Sequence, residues 1–148
     1  MKQLKISTKG KYALRMLLDL AEHKNDGFIA LKDIAERQDI SKKYLEQIVT
    51  ILNQSDILRS NRGYQGGYML AQPAEKYTVG QVLRVTEGSL STMDGAELVQ
   101  PQYDKGSYRK TVYIWQGLDQ VIAQYLDSIT LQDILDRYQA QGENEYYI

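Results

Sequence analysis

From residue 7 onward the apolar positions fall into a helical spacing. Ala13, Leu14, Leu17, Leu18 and Ala21 recur every three or four residues, with Lys11, Arg15, Asp19 and Glu22 between them. This predicts one amphipathic helix, capped by Ser7 or Thr8 and ended by Asn25-Asp26-Gly27. Phe28-Ile29-Ala30 is expected as a short strand. Residues 31–37 predict a short helix with Ile34 and Ala35 inward, and Gln38-Asp39-Ile40 a turn. Ser41 opens a second helix with Tyr44, Leu45, Ile48, Val49 and Leu52 on its buried face, ended by Asn53-Gln54-Ser55. Two short strands, 56–59 and 68–70, then flank a tip containing Gly63, Gly66 and Gly67, the pattern of a β-hairpin with a long, cationic end.

Helix, short helix, turn, helix and hairpin, in that order, predict a winged helix-turn-helix. The second helix of the pair packs one face inward and leaves the other free for a major groove. The free positions are Ser41, Lys42, Lys43, Glu46, Gln47 and Thr50. Lysine reaches phosphate or guanine, glutamate accepts from cytosine N4, and glutamine pairs with adenine. The hairpin would be the wing. Arg62 at its tip has no core to serve and suits a narrow minor groove, while Tyr64 and Gln65 suit sugar–phosphate contacts. Gly63, Gly66 and Gly67 would let the backbone approach DNA and turn sharply. Tyr68, at the start of its strand, is expected to pack on the domain. The candidate DNA-contacting set is Ser41, Lys42, Lys43, Tyr44, Glu46, Gln47, Arg59, Arg62, Gly63, Tyr64, Gln65, Gly66 and Gly67.

After Pro73, residues 77–85 predict a short helix with Val79, Val82 and Leu83 inward, finishing at Glu87-Gly88. Residues 89–107 lack periodicity and are expected as a linker loop. From Tyr108 a wide apolar stripe returns: Val112, Trp115, Leu118, Val121, Ile122, Tyr125, Leu126 and Ile129. Little chain remains to cover it, so a second copy is the simplest cover. Trp115, Leu118, Ile122, Tyr125 and Ile129 are the candidate dimerisation residues. Thr130 caps a last helix carrying Leu131, Ile134, Leu135 and Tyr138. The expected fold class is mainly α with a small β-hairpin wing. Residues 1–88 form the winged helix-turn-helix, 89–107 the linker, 108–141 the dimerisation helices and 142–148 a tail.

Composition narrows the function. The 148 residues contain no cysteine and one histidine, His23, which excludes disulfides, thiolate-ligated metals and a histidine-based metal site. The absence of cysteine fits the cytoplasm. The start, Met1-Lys2-Gln3-Leu4-Lys5-Ile6, lacks the apolar core of a signal peptide, and no run of about 18 apolar residues spans a membrane. No nucleophile–base pair or phosphate-cradling glycine motif is visible, so an enzyme is not expected. The net charge is −1, but residues 1–70 carry 12 basic against 8 acidic side chains, and residues 71–148 carry 6 against 11. The basic half holds the hairpin, a polarity that can orient docking on a polyanion.

The segments "STKGKYAL", "IAERQDISKKYLEQIV" and "RSNRGYQGGYML" resemble the iron–sulfur cluster, nitric-oxide and cysteine-metabolism regulator family (IscR/NsrR/CymR, also called Rrf-two). The motifs run from Ile6 to about Gly88 and the layout to about Tyr138. The resemblance implies a dimeric winged-helix transcription factor acting as a repressor, with Glu46 in the place of a base-reading glutamate and Arg62 in that of a minor-groove arginine. Asp39 stands where the family often has a turn glycine; aspartate tolerates a left-handed turn. Cluster-binding members carry three cysteines in the loop that corresponds to residues 89–107. This chain has none, so no iron–sulfur cofactor is expected and the cysteine-free branch, which includes the cysteine-metabolism regulators, is the better match.

That branch also implies a partner. The chain ends in a polar, glycine-containing spacer followed by Tyr146, Tyr147 and Ile148. Cysteine synthase (O-acetylserine sulfhydrylase) binds proteins whose last residue is isoleucine, and the resemblance implies it as corepressor docked on these three residues. An ordinary frayed tail, or one that packs Tyr146 and Tyr147 on its own dimer, is the plainer reading. Two other functions stay open: a regulator of the same fold answering to a small-molecule effector, and a protein adapter that does not bind DNA. The expected partners are therefore double-stranded DNA, a second copy of the chain and cysteine synthase; no cofactor and no membrane are expected.

Overall fold

The computed structural model describes residues 5–63, 66–93 and 106–146, with the backbone alone for 143–146. Helix α1 spans Thr8–Glu22, α2 Leu31–Gln38 and α3 Lys42–Gln54; strands β1 Leu58–Asn61 and β2 Gly67–Leu70 follow. After them come α4 Val79–Glu87, α5 Gly106–Asp127 and α6 Leu131–Tyr146. Single 3-10 turns at Lys24–Asp26 and Ala74–Lys76 join the pieces. The architecture is a winged helix-turn-helix followed by a helix pair, as the sequence predicts.

The helix starts are local; the sequence predicts the cap at Ser41, leaves the first between Ser7 and Thr8, and does not mark Thr78 as a cap. Ser7 accepts from the Gly10 N–H at 3.4 Å, Ser41 from Tyr44 at 3.1 Å and Thr78 from Gln81 at 3.1 Å, each satisfying a donor that the first turn leaves unpaired. At α6, Thr130 Oγ1 accepts from the Asp133 N–H at 3.0 Å, and the Asp133 carboxylate accepts from the Thr130 N–H at 2.9 Å, a reciprocal capping box. Asp39 ends α2 in the left-handed region, φ 53° and ψ 48°, and donates its N–H back to the carbonyls of Ala35 and Glu36.

One core lies between α1, α2, α3, the hairpin and the first turn of α6. It contains Ala13, Met16, Leu17, Ile34, Leu45, Ile48, Leu52, Ile57 and Leu131. The face of α1 is turned relative to the sequence reading: Met16 and Leu20 are buried, whereas Leu14 and Leu18 are half-buried. Apolar residues cover so wide an arc of this helix that periodicity alone does not choose the face. Asp19, read from the sequence as a polar position between apolar ones, is 2% exposed. The expected strand at 28–30 is a single bridge, Ile29 to Tyr68, and Phe28 is exposed. The first strand starts two residues later than expected, because Asp56 takes a positive φ of 57° and Ile57 turns into the core.

The boundary drawn at residue 108 is not where packing divides the chain. Leu131 is fully buried in the winged-helix core. The Val79 N–H donates to the Ile129 carbonyl at 2.8 Å and the Leu131 N–H to the Tyr77 carbonyl at 3.0 Å, pinning the start of α6 beside the start of α4. Arg84 of α4 and Asp127 of α5 add a two-pronged ion pair at 2.7 and 2.9 Å. Ile129, expected on the dimerisation stripe, instead packs inward with Val79, Leu83 and Leu90. The expected tail boundary at 142 also moves, since α6 continues to Tyr146. No helix among the described residues is long and apolar enough to cross a membrane.

Candidate nucleic-acid interface

Helix α3 is split cleanly by burial. Leu45, Ile48, Val49 and Leu52 are buried, while Ser41, Lys42, Lys43, Glu46, Gln47 and Thr50 are exposed. The free face therefore carries two cations, a carboxylate, an amide and two hydroxyls. Thr50 Oγ1 donates to the Glu46 carbonyl at 3.0 Å, and Ser41 spends its hydroxyl on the helix cap. Tyr44 is half-buried and meets Tyr12 edge-on, with ring centroids 5.5 Å apart at 81°, so its ring links α3 to α1. Arg15 lies over the other ring of this pair, 5.1 Å from the Tyr12 centroid.

The end of α2, next to the turn into α3, is held by a polar network centred on the buried Asp19, which periodicity did not reveal. The Asp19 carboxylate accepts from Arg37 at 2.9 and 2.7 Å and from the Gln38 amide at 3.0 Å. Arg15 donates to both the side chain and the carbonyl of Gln38. The last turn of α2, immediately before the turn into α3, is thus tied to α1 at several points. Burial pushes the Asp19 carboxyl up, but the hydrogen bonds from Arg37 and Gln38 and the charges of Arg37 and His23 outweigh it and hold the group below its ordinary value. His23 Nδ1 meets the Asp19 carbonyl oxygen at 2.8 Å. No sequence signal marks this network, because Asp19 keeps the four- and three-residue spacing of Lys11, Arg15 and Glu22 and so reads as an ordinary polar-face position.

The hairpin follows α3 directly. Leu58 pairs with Leu70, Arg59 with Met69, Ser60 with Tyr68 and Asn61 with Gly67. Arg59 and Arg62 are exposed. The Asn61 side chain accepts from the Gly63 N–H at 3.0 Å, shaping the turn. Tyr64 and Gln65 lie outside the described residues. The glycines differ in what they do. At Gly66 a Cβ would stand 2.7 Å from the Asn61 carbonyl, inside the turn. Gly67 is buried, and a Cβ there would run into the carbonyl of Ile29. Its smallness lets β2 bridge to Ile29, a packing role that the sequence reading of Gly67 as a DNA-approaching glycine did not include. Tyr68 is half-buried on the core, as expected.

The long helix α5 has no buried residue. Of the residues expected to dimerise, Trp115 is 41%, Leu118 42% and Tyr125 65% exposed, while Ile122 is half-buried. Tyr113, Ile114 and Val121, absent from the expected set, are exposed as well. Ile114, Leu118, Val121 and Tyr125 follow a spacing of four, three and four, which is one continuous stripe. At the start of the loop, Asp119 accepts from Ser91 Oγ at 2.7 Å and from the Thr92 N–H at 2.6 Å, fastening that segment to α5.

Comparison with known proteins agrees with this geometry. A family model described as an iron-dependent transcriptional regulator, Rrf2, matches residues 6–137. The transcriptional regulator CymR of Bacillus subtilis is 34% identical over 145 residues, 98% of each chain. IscR of Yersinia pestis is 35% identical over 135 residues, 90% of this chain and 80% of that one. Among solved structures, IscR of T. potens superposes with a TM-score of 0.74 at 40% identity, covering 93% of this chain and 91% of the other. CymR of B. subtilis, the global cysteine regulator, does so with a TM-score of 0.75 at 34% identity, covering 91% and 98%. The iron named for the family does not find its usual ligands here. The sequence has no cysteine, and no group of three His, Cys, Asp or Glu among the described residues is placed to hold a metal. The donor set does not fit a thiolate-held cluster.

Proposed function

The chain belongs to the Rrf2 family of DNA-binding, non-enzymatic transcriptional regulators, and from that premise we propose that it is a homodimeric repressor that reads DNA with α3 and the β1–β2 tip. The observation that carries the reading is the split of α3. A fully buried face anchors the helix, and the opposite face offers Lys42, Lys43, Glu46, Gln47 and Thr50 to solvent directly ahead of the hairpin that bears Arg62. In this reading Lys42 and Lys43 neutralise phosphates, Glu46 accepts from cytosine N4, Gln47 meets adenine and Arg62 enters the adjacent minor groove. The exposed stripe of α5 takes a second copy, which suits a two-fold operator.

The finer proposal is that the regulated genes serve cysteine or sulfur metabolism, with cysteine synthase as corepressor contacting Tyr146, Tyr147 and Ile148. What supports it is likeness over nearly the whole of both chains to a regulator named for cysteine, joined to a sequence without thiolates for a cluster. Tyr146 lies in the last turn of α6, while Tyr147 and Ile148 are outside the described residues. The test is capture of genomic fragments by the purified protein, alone and with cysteine synthase. Fragments upstream of cysteine and sulfur-uptake genes, enriched further by the enzyme and not by an Ile148→Asp variant, are expected. Specific fragments elsewhere, indifferent to the enzyme, would discard the sulfur assignment but keep the DNA reading. No specific fragment would remove the operator-reading role of α3.

A further inference from the structure

Behind the wing lies a cleft of about 510 Å³, lined by one residue of the candidate DNA-contacting set, Arg59, and otherwise by residues outside that set. It is walled by the end of α1, both hairpin strands, the connection 71–75 and the first turn of α6. Its floor is apolar, with Leu20 and Met69. Its rim carries two cations, Lys24 and Arg59, against one carboxylate, Glu75, and the Gln132 amide completes it. Neither cation makes a hydrogen bond or ion pair among the described residues. Arg59 and Met69 are paired across the hairpin, so one cation and one apolar wall stand side by side. A second cleft of about 430 Å³ shares Ala21, Lys24 and Gln132 with the first, which places Lys24 at the junction of the two.

We infer that this cleft is a binding site for a small amphiphilic organic anion, a carboxylate on a short apolar body. The size falls within the range of metabolite sites, which combine an apolar lining with a few convergent polar groups. Lys24 and Arg59 take the carboxylate, the arginine through two parallel N–H donors, and Gln132, whose Nε2 already donates to Asp136 Oδ1 at 2.9 Å, offers its second amide hydrogen. Leu20 and Met69 receive the body. The ligand touches the wing and α6 at once. Its binding is therefore linked to how these two elements sit against each other, which is what an effector of a winged-helix dimer needs.

The test reads binding on the free, full-length protein without DNA, so its failure is separable from failure of the operator reading. Isotope-labelled protein is titrated with hexanoate, with benzoate and with neutral hexanamide, and followed by two-dimensional NMR. Saturable shifts centred on Leu20, Met69 and Gln132 are expected with the carboxylates. Lys24→Gln and Arg59→Gln, both at exposed positions that leave the core intact, should each weaken hexanoate about tenfold, the loss of one charge-assisted contact. Hexanamide should bind more weakly than hexanoate by a similar factor. Absence of saturable shifts with both carboxylates, shifts centred elsewhere, equal binding of hexanamide, or indifference to both substitutions would each overturn the site.

Discussion

Asp19 shows how one buried residue fixes the end of a helix it does not belong to, next to the turn into α3. Its carboxylate is buried and held ionised by Arg37 and Gln38 at the end of α2. Asp19→Ala is expected to cost about 2–3 kcal/mol by urea unfolding near neutral pH. The charge-assisted bonds are lost, but half-exposed Arg37 regains water. Because the folded carboxyl sits below its ordinary value, this stabilisation is complete above the normal carboxylate range and is lost as pH falls through and beneath it. Wild-type protein should therefore lose more stability than Asp19→Asn between about pH 5 and pH 3, and equal slopes would contradict the assignment. Gly67→Ala is expected to destabilise by about 2–3 kcal/mol, since the added methyl meets the Ile29 carbonyl and the bridge must shift. The residues proposed to face DNA divide differently. Arg62→Ala should weaken operator binding at all sequences and reduce the slope of log affinity against log salt by about one. Glu46→Ala should relax base preference at one position while leaving fold and salt slope unchanged, read by selection from a randomised operator.

At the scale of elements, α3 and α5 are opposites. One has a buried face and a polar face, and the other buries nothing within its own chain. The amphipathic pattern of α3 was legible because its period and its Ser41 cap are local. The stripe of α5 was legible as apolar, but which residues face outward was not. Ile129 was expected on the stripe, yet the chain leaves helical geometry after Asp127 and its carbonyl accepts from Val79 instead. The expectation at this scale is that Leu118→Asp breaks the dimer, shown by light scattering as a halved mass, while circular dichroism stays near wild type because no core contact is lost. A variant that stays dimeric would move the interface away from this stripe. The hairpin was placed within two residues, and its offset has the same origin as Ile129: a single residue, here Asp56, adopting a conformation that pattern does not encode.

For the whole molecule, the charge split along the sequence acquires a spatial meaning only through the fold. The basic first half supplies α3 and the wing, and the acidic second half supplies α5 and α6. Yet the two halves are not separate bodies, because Leu131 is buried in the first core and Arg84 grips Asp127. A change at the stripe proposed to dimerise would therefore reach the wing through α4 and α6. The monomeric Leu118→Asp variant should bind a two-fold operator far more weakly than wild type, yet bind an isolated half-site with nearly wild-type affinity, measured by fluorescence anisotropy at fixed salt. Equal losses at both sites would mean that α3 itself is displaced.

The sequence by itself determined the order of elements, the helix caps at Ser41 and Thr130, the polar face of α3, the cationic hairpin and the lack of thiolates for a cluster. These follow from local periodicity, backbone donors near a capping side chain, and residue chemistry, none of which needs distant partners. Only the tertiary structure decided that Asp19 is buried and clamps α2, that Gly67 serves the Ile29 bridge, that α6 begins inside the first core, and that Lys24, Arg59 and Gln132 meet around one cleft. Each of these joins residues far apart in the chain, and a pattern read along one dimension carries no record of which distant segments come together.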